Sequence, residues 1–202
     1  MILDLQKFRY KIRYFIGKYY EDPLVNIFIS IKFRASTITL FGFLITLISS
    51  YFIYQGSVVI SAIILLVGSS FDMLDGGVAR KTNTVSNAGA LLDSVFDRIS
   101  EAVIFISLVF YYLSNGSENN FEVYICILGL VGSIMVSYIR ARSESLGVSG
   151  TAGILTRPER LIILIVSLML NNPIYALWIL AIGTPISAGI RFFDSWNTLR
   201  KK

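Results

Sequence analysis

Residues 71–100, FDMLDGGVARKTNTVSNAGALLDSVFDRIS, decide how the rest of the chain is read. They place four aspartates, Asp72, Asp75, Asp93 and Asp97, between long apolar runs. A carboxylate at or near bilayer depth is expensive unless something neutralises it, which makes such residues functional candidates. On a helix, residues three and four apart share a face. Asp72, Asp75, Gly76 and Ala79 then form one stripe, and Gly89, Asp93 and Asp97 a second. The small residues leave room for a ligand beside the acids. Two helices joined by the short connection between them run antiparallel, which can turn the stripes towards each other. Four carboxylates bring a charge of −4, and two divalent cations cancel it. Oxygen-only donors suit Mg²⁺ or Mn²⁺ over zinc or copper. Paired ions about 3.5–4 Å apart are a phosphoryl-transfer device.

Outward from that stretch the chain is a set of membrane helices. Of its 202 residues, 54% are hydrophobic, and the mean hydropathy is +0.68. That is too apolar for a soluble domain of this size. No charge occurs from Ala35 to Phe71, and Gln55-Gly56 divides that run into spans at about Ser36–Tyr54 and Ser57–Ala79. A third helix, about Ser86 to Ser114, begins with the charged stripe and ends apolar. SNGSENN (Ser114–Asn120) is a polar turn, followed by a fourth helix from about Phe121 to Leu146 with Gly147 as its C-cap. Thr156 is a candidate N-cap, with Pro158 in the first turn of the next helix. Asn171-Asn172-Pro173 then divides Leu161 to Ile190 into a short fifth span and a sixth. Residues 1–34 precede the bundle. Within 1–20, Lys7, Arg9, Lys11, Arg13 and Lys18 alternate with apolar residues at helical spacing, as in a helix lying on an anionic leaflet.

These features predict an all-α integral membrane protein forming a single domain over 1–202. Six transmembrane helices over 36–193 follow an amphipathic juxtamembrane helix, and no cleavable signal peptide is expected. Apart from Arg98 in the first half of the third helix, the 18 Lys and Arg gather at the N-terminus, the second-to-third connection, the fourth-to-fifth connection and the C-terminus. By the positive-inside rule, both termini and the aspartates face the cytoplasm of a cell-membrane protein. Histidine is absent and Cys126 is the only cysteine, which excludes an intrachain disulfide, a thiolate metal site and histidine acid–base chemistry. Proton transfer falls to carboxylate, lysine or tyrosine. No nucleic-acid partner is expected; the partners are membrane lipids and a small anionic substrate.

That anion is read from five arginines at helix ends on the same face. Arg140 and Arg142 close the fourth helix, Arg157 and Arg160 open the fifth, and Arg191 ends the sixth. One of them would be an ordinary anchor. Five exceed what anchoring requires and point to a phosphate monoester.

The run from Asp72 to Asp97 is D-x2-D-G-x2-A-R-x8-G-x3-D-x3-D. It resembles the signature of the CDP-alcohol phosphotransferases, which join a CDP-linked lipid to an alcohol and release CMP. The resemblance implies that Asp72, Asp75, Asp93 and Asp97 hold two metal ions, with Asp97 also the general base on the acceptor hydroxyl. It implies CDP contacts for Asp72, Gly76, Ala79, Arg80 and Ser86, and places Ser36, Thr37, Ile38 and Thr39 in the stretch closing over the nucleotide. Where many relatives carry Pro followed by Asp or Asn, this chain has Ala35-Ser36. SYIRAR, RPERLIIL and DRISEAVIF are similar to the phosphatidylinositol-phosphate synthase subgroup and its archaeal counterpart. There the lipid is CDP-diacylglycerol or CDP-archaeol and the acceptor is inositol 1-phosphate. Arg140, Arg142, Arg160 and Arg191 would line the acceptor pocket, and a homodimer is implied. Glycerol 3-phosphate is the alternative acceptor. A cation transporter is the remote alternative, disfavoured because the acids cluster at one face rather than at mid-membrane.

Overall fold

The computed structural model describes residues 21–114 and 120–201. The basic segment 1–20, expected as a surface helix, lies outside them, as does most of the Ser114–Asn120 turn. Among the described residues there are seven helices and no strand: α1 (Asp22–Ser30), α2 (Ala35–Tyr54), α3 (Val58–Lys81), α4 (Asn87–Ser114), α5 (Phe121–Ser145), α6 (Arg157–Met169) and α7 (Ile174–Arg200). Local chemistry sets the breaks. Gly56 takes a φ of 80° between α2 and α3, and Gly147 a φ of 73° directly after α5, the left-handed conformation that glycine adopts without penalty. Thr156 caps α6 in a reciprocal box with Glu159, and Pro158 sits in its first turn. The expected boundaries hold to within a few residues except at the last helix, which continues through the aromatic segment to Arg200.

Four helices, α2, α3, α5 and α7, are long and apolar enough to cross a membrane. The other two expected spans differ for separate reasons. α4 is long enough at 28 residues, but its first half carries Asp93, Asp97, Arg98 and Glu101. α6 has 13 residues, about 20 Å of helix against an apolar core of about 30 Å.

The chain divides into two compact units. Among the described residues, one takes in those up to Ile45 together with Val67–Asp97; the other takes in Thr46–Leu66 and those from Arg98 on. In the first unit α1 is only nine residues, too short to persist alone in water. Packing holds it. Val25 is fully buried with Ile38 of α2 and with Leu74 and Val78 of α3, and Phe28 and Phe71 meet edge to face. Lys81 adds an ion pair to Asp22 at 2.5 Å and a hydrogen bond to Asn26 at 3.2 Å. In the second unit α5 and α7 approach through small residues, as helices do where lipid offers no hydrophobic contrast. A Cβ at Gly132 would come within 2.9 Å of Thr184 Cβ and 3.0 Å of Pro185 Cδ, so no larger residue fits there. Thr184 itself is fully buried and donates to the Leu180 carbonyl.

Candidate active site

The α1–α2 connection, the last turns of α3 and the first turns of α4 surround a cavity of about 750 Å³. Its carboxylates are Asp75 and Asp93, and its cations are Lys32, Arg34 and Arg80. Gly76, Ala79 and Gly89 supply a low floor, and Ser36, Thr39 and Ser86 supply hydroxyls. A Cβ at Gly89 would meet only Ser86 Oγ, at 3.2 Å. The small residues at helical spacing therefore keep space open beside the acids.

α2 positions the acids on α3. Thr39 and Asp75 are both buried, and Thr39 Oγ1 donates to Asp75 Oδ2 at 2.5 Å. One turn further along α2, a Cβ on Gly42 would stand 2.9 Å from Asp72 Oδ1. Thr39 and Gly42 thus form a donor and a gap, three residues apart, that seat the Asp72/Asp75 pair. Asp72 and Asp93 lie within electrostatic reach of Asp75. α2 also touches α4 beside the last acid, where the Phe43 and Phe96 rings sit 4.8 Å apart.

Other residues named from the sequence lie elsewhere. Asp72 and Asp97 do not line the cavity; both are half-buried further along the same helices. Thr37 does not line it either, and Ile38 points into the apolar core with Val25, Leu74 and Val78. The helical period carries Ile38 away from the Ser36/Thr39 face. Thr39 lines the cavity, but its hydroxyl is engaged by Asp75.

Among the described residues, no three His, Cys, Asp or Glu side chains converge into a ready-made cation cage. The donor set still fits a hard divalent ion. Every candidate ligand is a carboxylate oxygen, two of the four acids open onto the cavity, and the glycine floor gives an ion and its ligands room.

The five arginines belong to the second unit, which separates them into two kinds. Arg160 and Arg191 are buried. Arg160 forms a two-pronged ion pair with Glu101, Nε to Oε1 and Nη2 to Oε2, both at 2.7 Å. Arg191 donates from Nε to the Ala152 carbonyl and from Nη1 to the Val136 carbonyl, both at 2.7 Å. Arg140 and Arg142 are exposed and Arg157 is half-buried, and Arg140 pairs with Glu144 one turn along at 2.9 Å. Arg140, Arg160 and Glu144 lie within electrostatic reach of Arg191. Arg191 therefore feels the charge of Arg140 and Arg160, each of which is already paired with an acid. The loop before α6 is strapped to α7: Ser187 Oγ accepts from the backbone N–H groups of Ile154 and Leu155 at 3.1 and 3.2 Å.

Sequence reasoning missed Glu101, Gly42 and the Thr39–Asp75 bond. Glu101 had one visible signal, an acid directly bordering the apolar half of α4, which a buried partner must neutralise.

The family model for CDP-alcohol phosphatidyltransferase matches residues 32–188. The chain is 39% identical over 172 residues to the archaetidylinositol phosphate synthase of Pyrococcus horikoshii, covering 84% of this chain and 87% of that one. It also matches the crystal structure of Mycobacterium tuberculosis phosphatidylinositol phosphate synthase with CDP-DAG bound. That match has a TM-score of 0.79 at 27% identity, over 88% of this chain and 94% of the other. The same enzyme in complex with manganese and citrate matches with a TM-score of 0.78 at 27% identity, over 86% and 88% of the two chains.

Proposed function

The chain belongs to the CDP-alcohol phosphatidyltransferase family, and from that premise we propose that it transfers the phosphatidyl or archaetidyl group of a CDP-lipid to inositol 1-phosphate, releasing CMP. It is a phosphotransferase enzyme of phospholipid biosynthesis. The observation that carries the finer reading is the cavity of the first unit, where Asp75, Asp93 and Arg80 surround a glycine floor.

In the proposed reaction Arg80 binds the diphosphate, because its planar, multi-donor cation matches phosphate oxygens. Gly76, Ala79 and Ser86 let the CDP moiety lie close to the helices. Asp97 accepts the proton of the acceptor hydroxyl. The freed oxygen attacks the lipid-proximal phosphorus, the bond from that phosphorus to the bridging oxygen breaks, and CMP leaves with the electron pair. Asp72, Asp75, Asp93 and Asp97 would hold two Mg²⁺ or Mn²⁺ ions, which supply charge neutralisation at the phosphates when bound. The manganese complex of the mycobacterial enzyme supports this. Arg140, Arg160 and Arg191 hold the acceptor's phosphate, with Arg142 and Arg157 adding charge nearby.

Around this chemistry, the apolar half of α4 (Ala102–Leu113) and the short α6 complete six spans. The loop charges support an active site on the cytoplasmic side, and the assembly is a homodimer. Crosslinking in native membranes tests the dimer.

A cluster of arginines recognises a phosphate in either of two acceptors, so a paired assay decides between them. With one CDP-lipid and Mg²⁺, radiolabelled inositol 1-phosphate is expected to enter lipid at least tenfold faster than glycerol 3-phosphate at equal concentration, a preference of about 1.4 kcal/mol. Equal or reversed rates would assign the second acceptor.

Thr39 acts on the metal through Asp75. Groups that orient a ligand typically change metal affinity or activity 10–100-fold. Thr39→Val is therefore expected to raise the Mg²⁺ concentration for half-maximal CMP release about tenfold or more. Thr39→Ser, which keeps the donor, should stay close to the parent. A Thr39→Val protein with parental metal dependence would restrict Thr39 to packing.

A further inference from the structure

We propose that Glu21, at the start of α1, is a positioning residue for the CDP-lipid. Its carboxylate fixes one edge of the Arg80 guanidinium so that the other edge stays over the cavity floor. Arg80 Nη2 donates to Glu21 Oε1 at 2.6 Å. The opposite nitrogen, Nη1, stands 3.1 Å from where a Cβ on Gly76 would be, so the guanidinium is folded back over Gly76. Both Gly76 and Arg80 line the cavity. One donor edge is spent on Glu21, and the other is presented where a ligand would lie.

The seat for Glu21 is built. A Cβ on Gly77 would come within 2.7 Å of Glu21 Oε1 and 2.6 Å of Val25 Cγ2. The bare face at Gly77 therefore admits both Glu21 and, one turn along α1, the fully buried Val25. The Glu21 side chain is 18% exposed and that of Arg80 59%. An ion pair this open contributes little to stability, so its consequence is orientation. A free arginine samples many rotamers, and a ligand that must select one loses affinity in ordering it. Glu21 removes part of that cost before the ligand arrives.

The neighbouring tie supplies an internal control. Asp22 pairs with Lys81 beside the Glu21–Arg80 pair and fastens the same helix to α3. Asp22→Ala loosens α1 without touching Arg80, and Glu21→Ala frees Arg80.

The inference rests on the reading that Arg80 faces the CDP-lipid diphosphate, and the experiment separates the two. CMP release is measured with the full chain in mixed micelles, with Mg²⁺ and inositol 1-phosphate fixed and CDP-diacylglycerol varied. Glu21→Ala is expected to raise KM for CDP-diacylglycerol roughly 3–10-fold with kcat little changed. Glu21→Gln should shift it in the same direction and guards against a folding defect in the alanine variant. Asp22→Ala should keep the parental KM, and Glu21→Ala should add nothing in an Arg80→Ala background. Parental KM in both Glu21 variants, with KM raised in Arg80→Ala, overturns the role of Glu21 and leaves that of Arg80 standing. Parental KM in Arg80→Ala overturns both. An Asp22→Ala effect equal to that of Glu21→Ala reduces Glu21 to a fastening of α1.

Discussion

Asp97→Asn is expected to reduce CMP release by roughly 10²–10⁴-fold, the range for loss of a positioned general base, while the protein folds and binds CDP-lipid as the parent does. The two side chains are nearly isosteric, so the half-buried site on α4 can keep its packing around Phe96 and its contact with Phe43. What changes is the loss of charge and basicity. With no histidine in the chain, no neighbouring imidazole can take over the proton. The loss should therefore appear in kcat as well as in kcat/KM, since proton removal belongs to the transition state. Single-turnover CMP release, equilibrium binding of CDP-diacylglycerol and thermal unfolding in detergent check the three parts. An Asp97→Asn protein retaining more than a tenth of parental activity would move the base to another residue. A protein that lost CDP-lipid binding and activity together would make Asp97 a ligand-holding group first.

The stripes were legible because the helix repeat is local. Asp72, Asp75 and Gly76, like Gly89, Asp93 and Asp97, are brought onto one face by spacing alone, and the cavity opens beside those small residues. Candidate spans were legible where an uncharged run fills all of a long helix, as in α2, or most of it, as in α7. Hydropathy cannot vouch for α4 or α6, because one is charged over half its length and the other is short. The contacts that orient the site were not legible. Thr39 and Asp75 are 36 residues apart, while Glu21–Arg80 and Glu101–Arg160 each span 59. No periodicity links such positions; only packing does. The same limit grouped five arginines that the structure divides into two buried, one half-buried and two exposed.

Glu101→Ala is expected to be the most destabilising of these substitutions, at about 3–5 kcal/mol, the cost of leaving one partner of a buried ion pair unpaired. Arg160 is 1% exposed and cannot swing to water. Its remaining contacts, to the Leu155 carbonyl and Ser137 Oγ, are both 3.4 Å long and too weak to replace two charged bonds. Glu101→Gln keeps an acceptor without the charge and should fall between the parent and the alanine variant. Replacing both partners, as Glu101→Leu with Arg160→Met, removes the stranded charge and should recover most of the lost stability, since buried pairs are often matched by apolar residues of similar volume. The double variant separates architecture from chemistry. If Arg160 only braces α6 against α4, recovered stability brings recovered activity. If Arg160 also holds the acceptor's phosphate, the double variant melts near the parent but keeps a KM for inositol 1-phosphate raised about tenfold or more, the cost of a lost charge-assisted bond of about 1.5–3 kcal/mol. Thermal unfolding in detergent, read beside acceptor titrations on the same preparations, distinguishes the two. A Glu101→Ala protein that unfolds at the parental temperature would show that Arg160 finds another counter-charge, and would remove Glu101 from the support of Arg160.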